Sequence, residues 1–126
     1  MNRIFLIISV LIAAVFSFAA TSYAEGDADK GEKVFKKCKA CHTVDNGGKN
    51  LVGPNLFGVV GRKAGHKEDY KYSQAMIDSG LTWDEATLDK YLEKPKDIVP
   101  KTKMTFAGLK KDTQRADVIA YLKTLQ

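Results

Sequence analysis

Apolar residues follow two rules along this chain. From Ile4 to Ala20 they are almost continuous, whereas from Asp27 onward they return at helical intervals between polar runs. Gly31, Val34, Phe35 and Cys38 stand at i, i+3, i+4 and i+7, one face of a helix, with Asp27 placed as its N-cap and an end expected near Cys41. Tyr72 to Ser79 suits a short helix that Gly80 stops. The run Thr82-Trp83-Asp84-Glu85 reads as a capping box, the Thr82 hydroxyl accepting from the Glu85 amide and the Glu85 carboxylate reaching back. Leu88, Tyr91 and Leu92 then form the apolar stripe of a helix that must finish by Lys94, because Pro95 follows. Residues 95 to 109 hold Pro95, Pro100 and Gly108 and are expected to be irregular. A last helix, capped by Asp112 or Thr113, carries Val118, Tyr121, Leu122 and Leu125 on one face.

Between the first two helical patterns, Thr43 to Lys67 is rich in glycine and has no sustained period, so it reads as turns and loops. Loops of that length in a small domain usually mean function, or something bulky to wrap around. The pattern therefore specifies an all-α fold of three to five helices with long connections, no strand pairing and no internal repeat. The first and last helices are expected to meet through Gly31, Phe35, Val118 and Leu122, Gly31 letting the backbones approach closely. That leaves too little helix-on-helix surface to close a core, and another body must fill the centre.

The continuous apolar run changes the domain count. Arg3 precedes it and Thr21-Ser22-Tyr23-Ala24 closes it with small residues at the last and third-last positions, the layout of a secretory signal peptide over residues 1 to 24. The competing reading is a membrane anchor, since the run approaches the roughly 20 residues that span a bilayer. A polar, charged segment follows at once, without a linker, which favours cleavage, export to the periplasm and no stable membrane insertion of the mature chain. Residues 25 to 126 then form one domain. Losing Arg3 lowers 20 basic residues to 19 and the formal charge from +5 to +4. Such a mixed, mildly basic surface lacks the dense tract of a nucleic-acid arm and suits a monomer steered toward an acidic protein face or an anionic surface.

Both cysteines fall in one short run, Lys36-Lys37-Cys38-Lys39-Ala40-Cys41-His42-Thr43-Val44. A disulfide across so short a loop would remove little chain entropy. A thioredoxin-like pair would need a βαβ context, and a tetrahedral zinc site needs four ligands, with His66 the one further His or Cys ligand. Cys-x-x-Cys-His is the attachment signature of c-type haem: two cysteines three apart meet two vinyl groups as thioethers, and His42 becomes an axial iron ligand. The sixth position decides between electron transfer and small-molecule chemistry, and Met76, Met104 and His66 are the candidates. Met104, in the proline-punctuated segment, offers a soft thioether that favours ferrous iron. The alternative for any such residue is a core methionine filling a gap.

Longer stretches carry a more specific likeness. Cys38 to Val44, Gly53-Pro54-Asn55-Leu56, Gly61 to Gly65, Leu81-Thr82-Trp83, Tyr91 to Lys96, Lys101 to Lys110 and Val118 to Lys123 resemble, in the same order, the class I cytochromes c, mitochondrial type and short soluble bacterial relatives. The resemblance spans residues 26 to 123 and implies one haem c, with His42 and Met104 as axial ligands. It implies that Pro54 offers its carbonyl to the His42 ring N–H, that Tyr72 and Trp83 face a haem propionate with Arg62 nearby, and that Tyr91 and Thr102 lie on the methionine side, Tyr91 donating to the Met104 sulfur. Read alone, Trp83 and Tyr91 are ordinary core residues on a helical stripe. Two departures stand out. Phe35 to Cys38 is one residue shorter than in the mitochondrial type, and Met76 occupies a position where that type usually has asparagine beside a buried water, so a shifted reduction potential is expected.

Eight lysines, Lys36, Lys37, Lys39, Lys96, Lys101, Lys103, Lys110 and Lys111, flank the cysteine motif or the methionine segment. Around the haem edge they would form a collar for acidic partners, interrupted by Asp97 and Asp112; singly, each is an ordinary solvated charge. The expected function is transfer of one electron without substrate chemistry, and the resemblance to the class I cytochromes c implies delivery from a cytochrome bc complex to a terminal oxidase or photosynthetic reaction centre. The alternative is a haem enzyme or gas-binding protein in which Met104 is off the iron.

Overall fold

In a computed structural model, residues 25–126 are described; the leader expected over residues 1 to 24 lies outside them. Five helices follow in order: α1 (Ala28–Phe35), α2 (Gln74–Asp78), α3 (Glu85–Glu93), α4 (Pro95–Ile98) and α5 (Asp112–Lys123). Among the described residues the extended pairing is a single isolated antiparallel bridge, Lys63 with Thr82. No helix among them is long and apolar enough to cross a membrane.

Local chemistry explains where the helices start. Asp27 caps α1, its carboxylate accepting from the amides of Asp29 and Lys30 at 3.0 and 3.1 Å. Those donors hold the Asp27 pKa below its ordinary value. Ser73 caps α2 through the Met76 amide at 3.1 Å. Three expectations need correction. The cap of α3 is Asp84, whose carboxylate accepts from the Thr87 amide at 2.7 Å, while Thr82 is held two residues earlier by its bridge to Lys63. The capping box fails because extended pairing at Thr82 delays the helix. Pro95, read as a breaker, is the first residue of the one-turn α4, where its missing N–H costs nothing. Asp112 lies inside α5 rather than capping it, and Lys111 precedes the helix without a side-chain cap.

Helix α1 ends at Phe35, earlier than the Cys41 expected, yet the chain keeps coiling: Cys38 N–H donates to Phe35 O at 2.8 Å and His42 N–H to Cys38 O at 3.0 Å. This turn sets both thiols and the imidazole on one short arc. The main helix contact is α1 against α5. Gly31 makes it possible, since a Cβ there would lie 1.9 Å from the Asp117 carbonyl oxygen. Phe35 packs on Tyr121 with ring centroids 5.5 Å apart, and Val118 and Leu122 complete the seam as buried residues. α5 is also buried through Ile119 and Arg115, because it is covered by α3 on a second side.

Arg115 is the buried charge that the sequence pattern did not reveal. Its Nε donates to Asp89 on α3 at 2.7 Å, and Nη1 donates to the carbonyls of Leu109 and Lys110 at 2.8 and 3.1 Å. One guanidinium thus joins α5, α3 and the end of the segment that carries Met104. Buried charge is tolerated when paired and hydrogen-bonded in this way.

Candidate functional site

The helices leave an apolar cavity of about 510 Å³, within the range that holds a cofactor-sized ligand. Cys38, Cys41 and His42 reach it from the turn after α1. Met104 and Thr102 reach it from the segment between α4 and α5, and Tyr91 from α3. Pro54, Arg62, Tyr72 and Trp83 line it as well, so all ten residues expected at a haem share one wall system.

His42 is fixed by its surroundings. Its Nδ1 lies 2.7 Å from the Pro54 carbonyl. A carbonyl can only accept, so Nδ1 carries the proton and Nε2 keeps its lone pair for a metal. Burial pushes the imidazole pKa down and so favours the neutral ring, and that hydrogen bond partly offsets the shift. Gly53 makes room: a Cβ there would sit 2.3 Å from His42 Cε1. Both cysteines are half-buried and unbridged. Burial and the neighbouring Cys41 raise the Cys38 thiol, with Lys37 opposing.

On the methionine segment, Tyr91 O–H donates to Met104 Sδ at 3.7 Å and the Met104 amide donates to Thr102 Oγ1 at 3.2 Å. Burial raises the Tyr91 pKa, partly countered by a hydrogen bond with Thr102, so the phenol stays protonated and able to donate. Trp83 packs against Tyr91 with centroids 4.7 Å apart, and both are buried. They are core residues and cavity wall at once, so the two readings of these aromatics coincide. Arg62 donates to the carbonyls of Phe57 and Asn55 at 3.3 Å each while lining the cavity. Of the other candidate ligands, Met76 also lines the cavity, whereas His66 is exposed and outside it.

All eight lysines are exposed, but they are not equivalent. Lys37 and Lys103 stand on the cavity wall. Lys103 is tied down rather than free: its ammonium sits 4.5 Å above the Tyr70 ring and donates to the Lys71 carbonyl. The other six do not line the cavity.

Two further residues of the site escaped the sequence reading. Tyr70 lines the cavity, stacks edge-on with Tyr72 at 4.8 Å and donates its hydroxyl to the Val52 carbonyl at 2.6 Å. Asn55 is buried and rivets the loop, donating to Thr43 Oγ1 at 2.8 Å and the Asp45 carbonyl at 3.0 Å while accepting from the Phe57 amide at 3.0 Å. No signal marks Tyr70; Asn55 stands inside the recognised Gly53-Pro54-Asn55-Leu56 stretch, though nothing local says it is buried.

Two thiols, a neutral imidazole with a free Nε2 and a soft thioether around one apolar space form a donor set that fits a thioether-linked haem. Comparison with known proteins decides the matter. The cytochrome c family model matches residues 28–126. The chain belongs to the cytochrome c family, class I. It is 57% identical to cytochrome c2 of Rhodomicrobium vannielii over 114 residues, covering 90% of this chain and 91% of that one. Identity to cytochrome c2 of Rhodospirillum rubrum is 50% over the full length of both chains. The solved structure of cytochrome cH from Methylobacterium extorquens superposes with a TM-score of 0.75 at 53% identity, covering 79% of this chain and 99% of the other. The cofactor is one covalently attached c-type haem, and the chain is an electron carrier rather than an enzyme.

Proposed function

We propose that the mature protein, residues 25 to 126 after removal of the 1 to 24 leader, shuttles single electrons in the periplasm from a cytochrome bc complex to a terminal oxidase or photosynthetic reaction centre. The observation that carries this reading is the convergence of Cys38, Cys41, His42 and Met104 on one apolar cavity whose wall includes Lys37 and Lys103. Haem, when bound, supplies one-electron redox chemistry at its iron.

The chain's own residues do the rest. Cys38 and Cys41 hold the ring as thioethers. His42 would give Nε2 to the iron while Pro54 keeps Nδ1 protonated and the ring oriented. Met104 gives its sulfur, and Tyr91 holds that sulfur by its hydroxyl. Trp83, Tyr72 and Arg62 compensate a propionate that burial would otherwise penalise. The apolar wall would keep water from a bound haem. The lysine collar draws in an acidic redox complex and lets it go quickly, as suits small electron-transfer contacts.

The test is stopped-flow reduction of the oxidised mature protein by a purified bacterial cytochrome bc complex, followed by reoxidation with a terminal oxidase or with reaction centres. Rapid, salt-sensitive exchange with the bc complex and one acceptor is expected. Failure to accept electrons from the bc complex at any ionic strength would overturn the reading.

A further inference from the structure

Residues 103 to 108 carry Met104 on a length of chain with little of its own to hold it. Among the described residues, no backbone–backbone hydrogen bond reaches them, and none of the six is buried. A segment of this kind takes its position from where its ends are fastened. At the leading end Thr102 N–H donates to the Val99 carbonyl at 3.0 Å. The trailing end is held more firmly. Leu109 is buried and donates its N–H to the Leu92 carbonyl at 2.7 Å, and Gly108 lies so close to α3 that a Cβ there would stand 2.0 Å from the Glu93 carbonyl oxygen. Arg115 closes the joint from α5. Its Nη1 donates to the Leu109 and Lys110 carbonyls at 2.8 and 3.1 Å while Nε donates to Asp89 at 2.7 Å, with the arginine side chain only 8% exposed.

Helix packing alone does not call for that charge, since a buried ion pair between two helices can often be replaced by apolar residues without loss. Two adjacent carbonyls and a carboxylate do call for a forked, charged donor, and burial strengthens each of its hydrogen bonds. Resting on the proposed ligation of iron by Met104, we propose that Arg115 is a positioning residue for the Met104 sulfur. It does not line the cavity and acts through the backbone of residues 109 and 110. By clamping the trailing end of the segment to α5 and α3, it sets how often the sulfur leaves the iron. A sulfur that stays on the iron denies the sixth position to outside ligands, which separates a carrier from a haem protein that binds small molecules.

The experiment uses the oxidised, haem-loaded mature protein at fixed pH and adds imidazole, a ligand that enters when Met104 leaves. Its second-order binding rate is followed by loss of the sulfur-to-iron band. Arg115→Lys keeps the charge and gives up the fork; Arg115→Gln keeps an amide donor and gives up the charge. Each is expected to bind imidazole about tenfold faster, the effect of losing one charged hydrogen bond. Asp89→Asn weakens the contact between α5 and α3 but leaves both carbonyl contacts. It is expected to lose stability in chemical denaturation and yet bind imidazole within about twofold of the wild-type rate. Amide exchange over residues 103 to 109 should quicken in the Arg115 variants and not in Asp89→Asn. Wild-type imidazole rates in both Arg115 variants, or an acceleration just as large in Asp89→Asn, would overturn the clamp while the ligation by Met104 stood. A wild-type protein without the sulfur band would remove the ligation itself, and the clamp with it.

Discussion

Single atoms decide the chemistry at the proposed iron ligands. Tyr91 donates to the Met104 sulfur, and a donor there draws on the lone pair that would otherwise stabilise ferric iron. Tyr91→Phe removes the donor and keeps the ring that packs on Trp83. The reduction potential is expected to fall by roughly 20–60 mV, the one-electron equivalent of a weak hydrogen bond, as measured by redox titration. The motif itself was legible, because attachment needs two sulfurs and an imidazole at fixed intervals. Its supports were less so. The tautomer and position of the His42 ring depend on a carbonyl twelve residues away and on the missing side chain of Gly53, contacts that only the folded loop creates. The proline-punctuated segment favours Met104 as the proposed ligand and the resemblance strengthens that preference, although Met76 lines the cavity as well.

Elements depend on caps and close approaches, and here local rules met tertiary ones. The Thr82 cap was a sound local reading defeated by the bridge to Lys63, which leaves Asp84 as the acceptor at the helix start. Asp84→Ala should therefore cost about 1 kcal/mol in chemical denaturation, and loss of the Thr82 hydroxyl in Thr82→Ala should leave that cap intact. The carboxylates of Asp27 and Asp84 are both held below their ordinary pKa by backbone amides. Their contribution is complete above the unfolded carboxylate pKa and is lost as pH falls through the lower folded value, so stability should decline below about pH 5. Asp84→Ala should flatten that decline when denaturation midpoints are compared across pH. The α1–α5 seam was foreseen from Gly31, and Gly31→Ala drives a methyl group into the Asp117 carbonyl of a packed helix. A loss of about 2–3 kcal/mol is expected in the same assay. The Arg115 junction was not foreseen, since an arginine on a helix gives no sign of partners on another helix and a loop.

For the whole molecule, the arrangement of charge and the filled centre matter most. The sequence pattern called for a body to fill the middle because the helices are few and short, and the cavity shows where that body goes. The proposed collar can be read from the sequence as a set of lysines but not as a surface, since Lys103 is engaged by Tyr70 and Lys71 while Lys37 is not. Lys37→Glu with Lys111→Glu is expected to slow reduction by an acidic partner about tenfold at low salt and to flatten the salt dependence, read from stopped-flow traces. The most direct measurement of the proposed iron coordination is the absorption spectrum of the oxidised mature protein. A low-spin spectrum with a sulfur-to-iron charge-transfer band, present in Met76→Ala and absent in Met104→Ala, is expected. A high-spin spectrum, or a sulfur band that survives Met104→Ala, would contradict it.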